Sequence, residues 1–326
     1  MLRRMGEHAQ GVTQRFEDPD AFAGALLGGD FEYLPLPGQP FDATLRVLRV
    51  DDALVQQAED SAHVTRAAMQ PGLLGLILPL GQSGRAPSAN GMEVGQREAL
   101  LLPGGAAFTV ACPEAQSWGA LALPIAMAEE LAELGGLAFR QGEASRLALD
   151  GAAFEALSGA IAAAGRMADG VAELPATPAC AASLAAALRE MLVGAITPGM
   201  AAIAPGRAAR EAMRVHRAAD AYLQAHLHRP IYRDDLCAAL GVSRRKLHDA
   251  FAAVVGMSPP AYLKLRRLVL ARRALRAGDG TRLLVKSVAL SHGFWHLGYF
   301  ARDYRALFGE LPSQTATWQA ERGVRA

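Results

Sequence analysis

With 326 residues, half of them apolar and a fifth charged, the chain is long enough for two domains and has the composition of a soluble globular protein. No run of about 18 consecutive apolar residues occurs, and MLRRMGEHAQ carries two arginines with no apolar stretch behind them, so neither a membrane span nor a secretion leader is expected. The net charge of +1 hides an asymmetry: residues 207–325 hold 21 Arg and Lys against 9 Asp and Glu, a balance of +12, while the remainder holds 12 against 23, a balance of −11.

A basic domain beside an acidic one suits a polyanion-binding module joined to a sensing or assembly module; charge alone would also suit a membrane surface. Only Cys112, Cys180 and Cys237 occur, widely spaced and odd in number. They make no metal pattern and no disulfide framework, and a reducing cytoplasm is the expected setting.

From Phe31 to about Pro124 the pattern is short and strand-like: FEYLPLP, DATLRVLRV, ALVQQAED, GLLGLILPL, REALLLP, AFTVAC and WGALALP, separated by PGQP, GQSGRAPSANG and PGG. Evenly spaced short strands predict a sandwich or small barrel. Beyond Pro124 the period changes. IAMAEELAELGG reads as a helix ending at Gly135 and Gly136, followed by helices over about Asp150–Asp169 and Pro178–Ile196. The last is alanine-rich, with Leu184, Leu188, Met191 and Leu192 on one face, and its small residues suit close packing against the barrel or against a second copy of the chain. TPGMAAIAPG, Thr197–Gly206, breaks the pattern with two prolines and two glycines and reads as a linker.

From Arg207 onward the chain reads as helix and turn, with one internal repeat. In DDLCAALGVSRRKLHDAFAAVVGMSPPAYL, Asp234 is the expected N-cap of a short helix with Leu236, Ala239 and Leu240 inside, and Gly241 ends it. Ser243 then caps a second helix whose inner face is Leu247, Phe251 and Val254, closed by Gly256. This is the helix-turn-helix layout, in which the second helix enters the DNA major groove.

KSVALSHGFWHLGYFARDYRALFGELPS repeats the plan, with Val288, Ala289 and Leu290, the turn at Gly293, then Phe300, Tyr304 and Phe308, and Gly309 closing. Gly241 to Gly293 is 52 residues, whereas Phe251 to Tyr304 and Gly256 to Gly309 are 53, so the second unit has one extra residue after its turn. Between them AYLKLRRLVLARRALRAG is a basic amphipathic helix that offers Tyr262, Leu263, Leu268, Leu270 and Leu275 for burial. Two readers held by a stiff rod can enter adjacent major-groove segments about 10 bp apart.

These residues resemble the AraC/XylS family of transcription regulators over about Val215–Thr315, most specifically in V-A-L-S-H-G-F and F-A-R-D-Y-R-A-L-F-G-E-L-P. GFWHLG followed by YFARDYRALFGELPS is similar to the subgroup that includes ethanolamine-utilisation regulators. The resemblance implies an α+β chain: a cupin-like β-barrel with helices over residues 1–200 for sensing and dimerisation, and an all-α DNA-binding domain over 207–326. It further implies a cytoplasmic homodimer on promoter DNA, RNA polymerase as a protein partner, and an effector-responsive activator. The chain departs from the family at Tyr299, a position more often basic, and at Asp249, where Arg is frequent; both departures remove a phosphate contact.

The candidate DNA-binding residues are Ser243, Arg244, Arg245, Lys246 and His248 in the first unit and Trp295, His296, Arg302 and Arg305 in the second. The cations of the first suit guanine edges and phosphates, and Trp295 with His296 suits a thymine methyl and an edge acceptor. Against this, a charged run is commonly a solvated face, an aromatic is commonly packing, and Arg302 or Arg305 could pair with Asp303 or Glu310. Arg266, Arg267, Arg272 and Arg273 are expected to form a mostly solvated face.

The first 204 residues contain only His8 and His63, too few for a metal-dependent cupin, and no nucleophile elbow, phosphate loop or HExxH occurs. An enzyme with an accessory DNA-binding domain is therefore disfavoured, including the DNA-alkylation repair proteins, whose cysteine cluster is absent. No metal or cofactor is expected. Arg46, Arg49, Arg66, Arg85 and Arg97 are the barrel's available cations; none is assigned to a ligand. A ligand-independent dimeric regulator stays open beside the effector-responsive one.

Overall fold

A computed structural model of the chain describes residues 2–5, 8–81, 84–126, 142–196, 202–203, 205–226, 229–277 and 285–316. It divides into two compact units, Met1–Tyr33 with Phe41–Pro205, and Gly206–Ala326 with Leu34–Pro40.

The first unit runs β1 (Leu2–Met5), β2 (Ala9–Phe16), α1 (Pro19–Ala25), β3 (Gly29–Pro35), β4 (Ala43–Val50), β5 (Ala53–Asp60), β6 (His63–Met69), β7 (Leu73–Pro79), β8 (Ser88–Ala89), β9 (Met92–Glu93), β10 (Glu98–Pro103), β11 (Ala107–Cys112), β12 (Gln116–Pro124), β13 (Ser145–Ala148), α2 (Gly151–Asp169), α3 (Pro178–Ile196) and β14 (Ala202–Ile203). Nine strands form one sheet in the order β1-β2-β4-β5-β12-β7-β10-β13-β14, and β3-β6-β11-β8-β9 form a second. Strand alternation sends Leu48, Val55, Leu76 and Leu121 to the helix-covered face of the large sheet, where Leu157, Ile161, Leu188 and Leu192 of α2 and α3 complete one core. Phe16, Phe22, Tyr33 and Phe41 make a separate aromatic cluster.

Helix α2 starts on Asp150, which accepts the Ala153 N–H at 2.7 Å. It lies so close to the sheet that a Cβ on Gly119 would come within 2.7 Å of Ile161, and one on Gly165 within 2.2 Å of Gln57. Its far end is pinned where Asp169 accepts from Thr13 at 2.7 Å and from Arg46 at 2.8 Å.

Helix α3 is by length and composition apolar enough to cross a membrane, with mean hydropathy 1.5, against the expectation of no such segment. Here Ala181, Ala185, Leu188, Leu192, Ala195 and Ile196 are buried in the barrel core, and Arg189 reaches Asp52 at 3.4 Å.

Three features differ from the sequence expectation. The sheet begins at β1 and β2, before Phe31, where AQGVTQRF has too few large apolar residues to announce a strand. The proposed linker Thr197–Gly206 yields Ala202–Ile203 to the large sheet, where they pair with Leu147 and Arg146, because proline and glycine stop a helix without preventing a strand from joining a sheet edge. The helix predicted from Ile125 lies, beyond its first two residues, outside the described residues.

The second unit is helical: α4 (Arg207–Ala225), α5 (Arg233–Leu240), α6 (Arg244–Val255), α7 (Pro259–Ala277), α8 (Val285–Ser291) and α9 (Leu297–Phe308). His216 of α4, Phe251 of α6 and Tyr262 of α7 stack edge to face, with centroids 5.1–5.9 Å apart, as the centre of the first helix pair. Phe300, Tyr304 and Phe308 repeat this along α9.

Candidate nucleic-acid interface

Each short helix turns into its partner through a glycine in the left-handed region, Gly241 at φ +62° and Gly293 at φ +76°. Ser243 then caps α6, its hydroxyl accepting the Lys246 N–H at 3.2 Å. The cap of α5 differs from expectation. Tyr232 is the N-cap and its N–H is taken by Asp235 at 2.8 Å, so Asp234 lies inside the first turn. That shift frees the Asp234 carboxylate to grip Arg244.

With Leu247, Phe251 and Val254 buried, helical geometry sends Arg245, His248, Asp249 and Ala252 outward. The Arg245 side chain is 93 % exposed and only 3.9 Å from Asp249, one turn on. Its two neighbours are tied back. Arg244 donates Nε and Nη2 to Asp234 at 3.0 and 2.8 Å, and these bonds hold the Asp234 carboxyl below its usual range. Lys246 meets Glu211 of α4 at 2.5 Å. Glu211 also accepts both forks of Arg214, and these hydrogen bonds press its carboxyl down to about 2. Arg207, Arg210, Arg214 and Lys246 thus line a basic concavity with Glu211 at its centre.

The second unit presents a different face. Helix α9 begins at Leu297 with His296 as N-cap, so Trp295 and His296 precede the helix, and the extra residue after the turn lies here. Trp295 is 68 % and Tyr299 62 % exposed, unusual for large aromatics. Arg302 stacks over the Tyr299 ring at 5.0 Å and pairs with Asp303 at 3.0 Å, while Asp303 also takes Lys264 at 3.1 Å. Burial would raise the Asp303 carboxyl, and the bonds from Lys264 and Arg302 outweigh it and lower it. Arg305 stands exposed in the last turn.

The connecting helix is not a solvated basic face. Arg266 is 3 % and Arg272 5 % exposed. Arg266 approaches Asp220 at 3.7 Å; Arg272 donates to Glu310 at 3.2 Å and lies over Phe308 at 4.6 Å. Arg267 is held between the rings of Tyr232 and Phe294, 5.1 Å from each, and donates to the Gly293 carbonyl at 3.2 Å. Burial lowers its pKa. Aliphatic stems let these side chains occupy helix interfaces while their heads find partners, which helical periodicity alone does not reveal. Asp249, noted in the sequence as a departure from the family, lies on the outward face of α6; sequence reasoning passed over the Arg207–Arg214 cluster, for which three arginines spaced at three and four residues were the available signal.

Two helix pairs, each joined through a left-handed glycine and presenting cationic or aromatic side chains outward, have the layout of paired helix-turn-helix units. The family described as "Helix-turn-helix domain" matches residues 236–317. The XylDLEGF operon transcriptional activator of Pseudomonas putida is 35 % identical over 94 residues, 29 % of this chain and 29 % of that protein. The transcriptional activator NphR of Rhodococcus sp. is 33 % identical over 143 residues, 43 % of this chain and 40 % of its own. The chain thus spans less than half of either relative. A solved structure of a probable AraC family transcriptional regulator from Rhodopseudomonas palustris CGA009 is 41 % identical, with 32 % of this chain covering 97 % of that one, at a TM-score of 0.30. Residues 236–317 thus match the helix-turn-helix domain family, and over that stretch the chain is similar to transcriptional activators of the XylS kind.

Proposed function

We propose that the chain is a sequence-specific transcription activator that binds double-stranded promoter DNA as a homodimer, in the cytoplasm, and acts with RNA polymerase. The observation that carries this reading is Arg245, almost fully exposed at the start of a helix fixed by the Ser243 cap and Gly241. In a major groove it can fork onto guanine O6 and N7, worth about 1–3 kcal/mol of discrimination. Asp249 on the same face suits a cytosine amino group, and His248 a neighbouring edge. Ser243, Arg244 and Lys246 border this face; Arg244 and Lys246 reach phosphates by exchanging Asp234 and Glu211 for them. Trp295, His296 and Tyr299 form an apolar reading edge for thymine methyls, flanked by Arg302 and Arg305 on the backbone.

The first unit is read as the sensing and pairing domain. Its interior holds a cavity of about 70 Å³ between the sheets, and a small-molecule effector there would bias DNA binding. The barrel arginines Arg46, Arg49, Arg66, Arg85 and Arg97 do not line it.

Replacing two arginines separates base reading from backbone contact. Arg245→Ala is expected to flatten the preference between operator and random duplex, whereas Arg305→Ala weakens both alike and shallows the log K against log salt slope by about one unit. Retention of footprint and affinity by both variants would remove these roles.

A further inference from the structure

We infer that the cavity between the two sheets takes a short uncharged alcohol, smaller than a six-membered ring, and refuses carboxylates. This rests on the reading of the barrel as an effector-binding domain and says what kind of molecule enters it.

The cavity is small, about 70 Å³, against roughly 150 Å³ for a void that holds benzene without adjustment. Most of its wall is apolar, including Phe31, Ile77, Leu100 and Phe108, while Tyr33, His63, Thr65 and Gln116 supply the polar part. Among the described residues no arginine or lysine contributes to the lining.

Two side chains at the polar part have unmet hydrogen-bonding capacity. The Thr65 hydroxyl, on a residue 4 % exposed, makes no hydrogen bond of ordinary geometry, its polar neighbour being the Tyr33 hydroxyl, which is itself turned to Asp60. A buried hydroxyl without a partner is costly, and a ligand that supplies one recovers that cost. His63 Nδ1 lies 2.8 Å from the Ser61 carbonyl oxygen, which can only accept, so Nδ1 carries the proton. In the neutral ring Nε2 is then a lone-pair acceptor, which calls for an O–H on the ligand.

Charge chemistry narrows the class further. Asp60, 4 % exposed, stands behind this end, accepting from Trp118 Nε1 at 2.9 Å and from the Tyr33 hydroxyl at 3.3 Å, with His63 Nδ1 3.6 Å from its other oxygen. A carboxylate ligand would bury a second negative charge close to Asp60 with no Arg or Lys among the described lining residues to meet it, and its desolvation would go unreturned. A cationic ligand would face the His63 ring and a hydroxyl, since Asp60 does not line the cavity. A neutral hydroxyl satisfies both the Thr65 oxygen and the His63 nitrogen.

The test is isothermal titration of the full chain with matched pairs, 1-butanol against butyrate and 1-propanol against propionate, repeated on Thr65→Val. An alcohol is expected to bind at least tenfold tighter than its carboxylate partner, and Thr65→Val, which keeps the shape, to weaken the alcohol about threefold to tenfold. Thermal melting of Thr65→Val checks that it folds; His63→Gln, which also weakens the alcohol, serves as the second variant. Equal or tighter binding of the carboxylates, binding of no member, or full retention of alcohol affinity by both variants overturns the inference. The effector reading fails separately: alcohol binding that leaves operator affinity unchanged refutes the regulatory role and keeps the ligand class, and an anionic effector bound in the cavity that shifts operator affinity does the reverse.

Discussion

Among single side chains, the acidic residues beside the basic ones set how much of the positive charge a duplex meets. Glu211 occupies two cations that would otherwise face phosphate, Arg214 and Lys246. Its carboxyl, pressed down to about 2, is ionised at every workable pH, so this restraint is independent of pH. Glu211→Gln is expected to tighten binding to random duplex at low salt and to steepen the salt slope by about one to two units. Parallel salt plots for parent and variant would show that neither cation reaches DNA.

Asp60 offers a contrasting case. Burial raises its folded-state pKa above the ordinary 3.8 despite the opposing help of His63, Trp118 and Tyr33. The folded state therefore holds the proton to higher pH than the unfolded chain, and stability is lost as pH rises from 3.8 through the raised value. Asp60→Asn keeps an acceptor for Trp118 and Tyr33 and removes the charge. Denaturant melts over a pH series should show the variant as stable as the parent or more so at neutral pH, with a flatter approach from acid. A variant less stable than the parent at neutral pH would mean that the Asp60–His63 pair outweighs the burial cost.

Secondary elements in the second unit are coupled through a cluster around Gly293. A Cβ there would stand 2.7 Å from Pro230, 2.8 Å from the Tyr232 hydroxyl and 3.0 Å from Arg267, at a φ that L side chains rarely adopt. Around Gly241 the space is open, so only the backbone conformation resists a side chain. Gly293→Ala should cost about 2–4 kcal/mol and Gly241→Ala about 1 kcal/mol, measured as urea midpoints. Equal losses would show that the Tyr232–Arg267–Phe294 cluster gives way without cost. Since Arg267 joins the cap of α5 to the turn before α9, Gly293→Ala should also weaken DNA contacts made by α6.

At the scale of the whole molecule, the proposed reading sets the two reading helices apart by the length of α7. Helix α7, 19 residues long, spans about 28 Å, close to the roughly 34 Å of one duplex turn. Footprints are expected to cover two successive major-groove segments per protomer. Inserting about 5 bp between them turns the second segment to the far side of the duplex and should cut affinity at least tenfold, whereas about 10 bp restores the facing but stretches the reach. Tolerance of the 5 bp insertion would mean that one unit carries all the binding. The charge division of +12 and −11 confines attraction for phosphate to residues 207–325.

The repeat at 52 and 53 residues, its glycine turns, the Ser243 cap and the inner face of α6 were legible because each depends on local backbone preference and helical period, whereas of Leu236, Ala239 and Leu240 expected inside α5 only Leu236 is buried and Ala239 is exposed. The strands with alternating or continuous apolar runs were legible for the same reason, while β2 and β14 were not, since they owe their place to a partner strand. Which arginines are buried, which are tied to Asp234 or Glu211, and which, like Arg245, stand clear was decided only when distant elements packed, because an ion pair is set by separation in space. The buried hydroxyl of Thr65 and the lack of Arg and Lys among the described lining residues of the cavity belong to that same class of fact, invisible until two sheets close on one another.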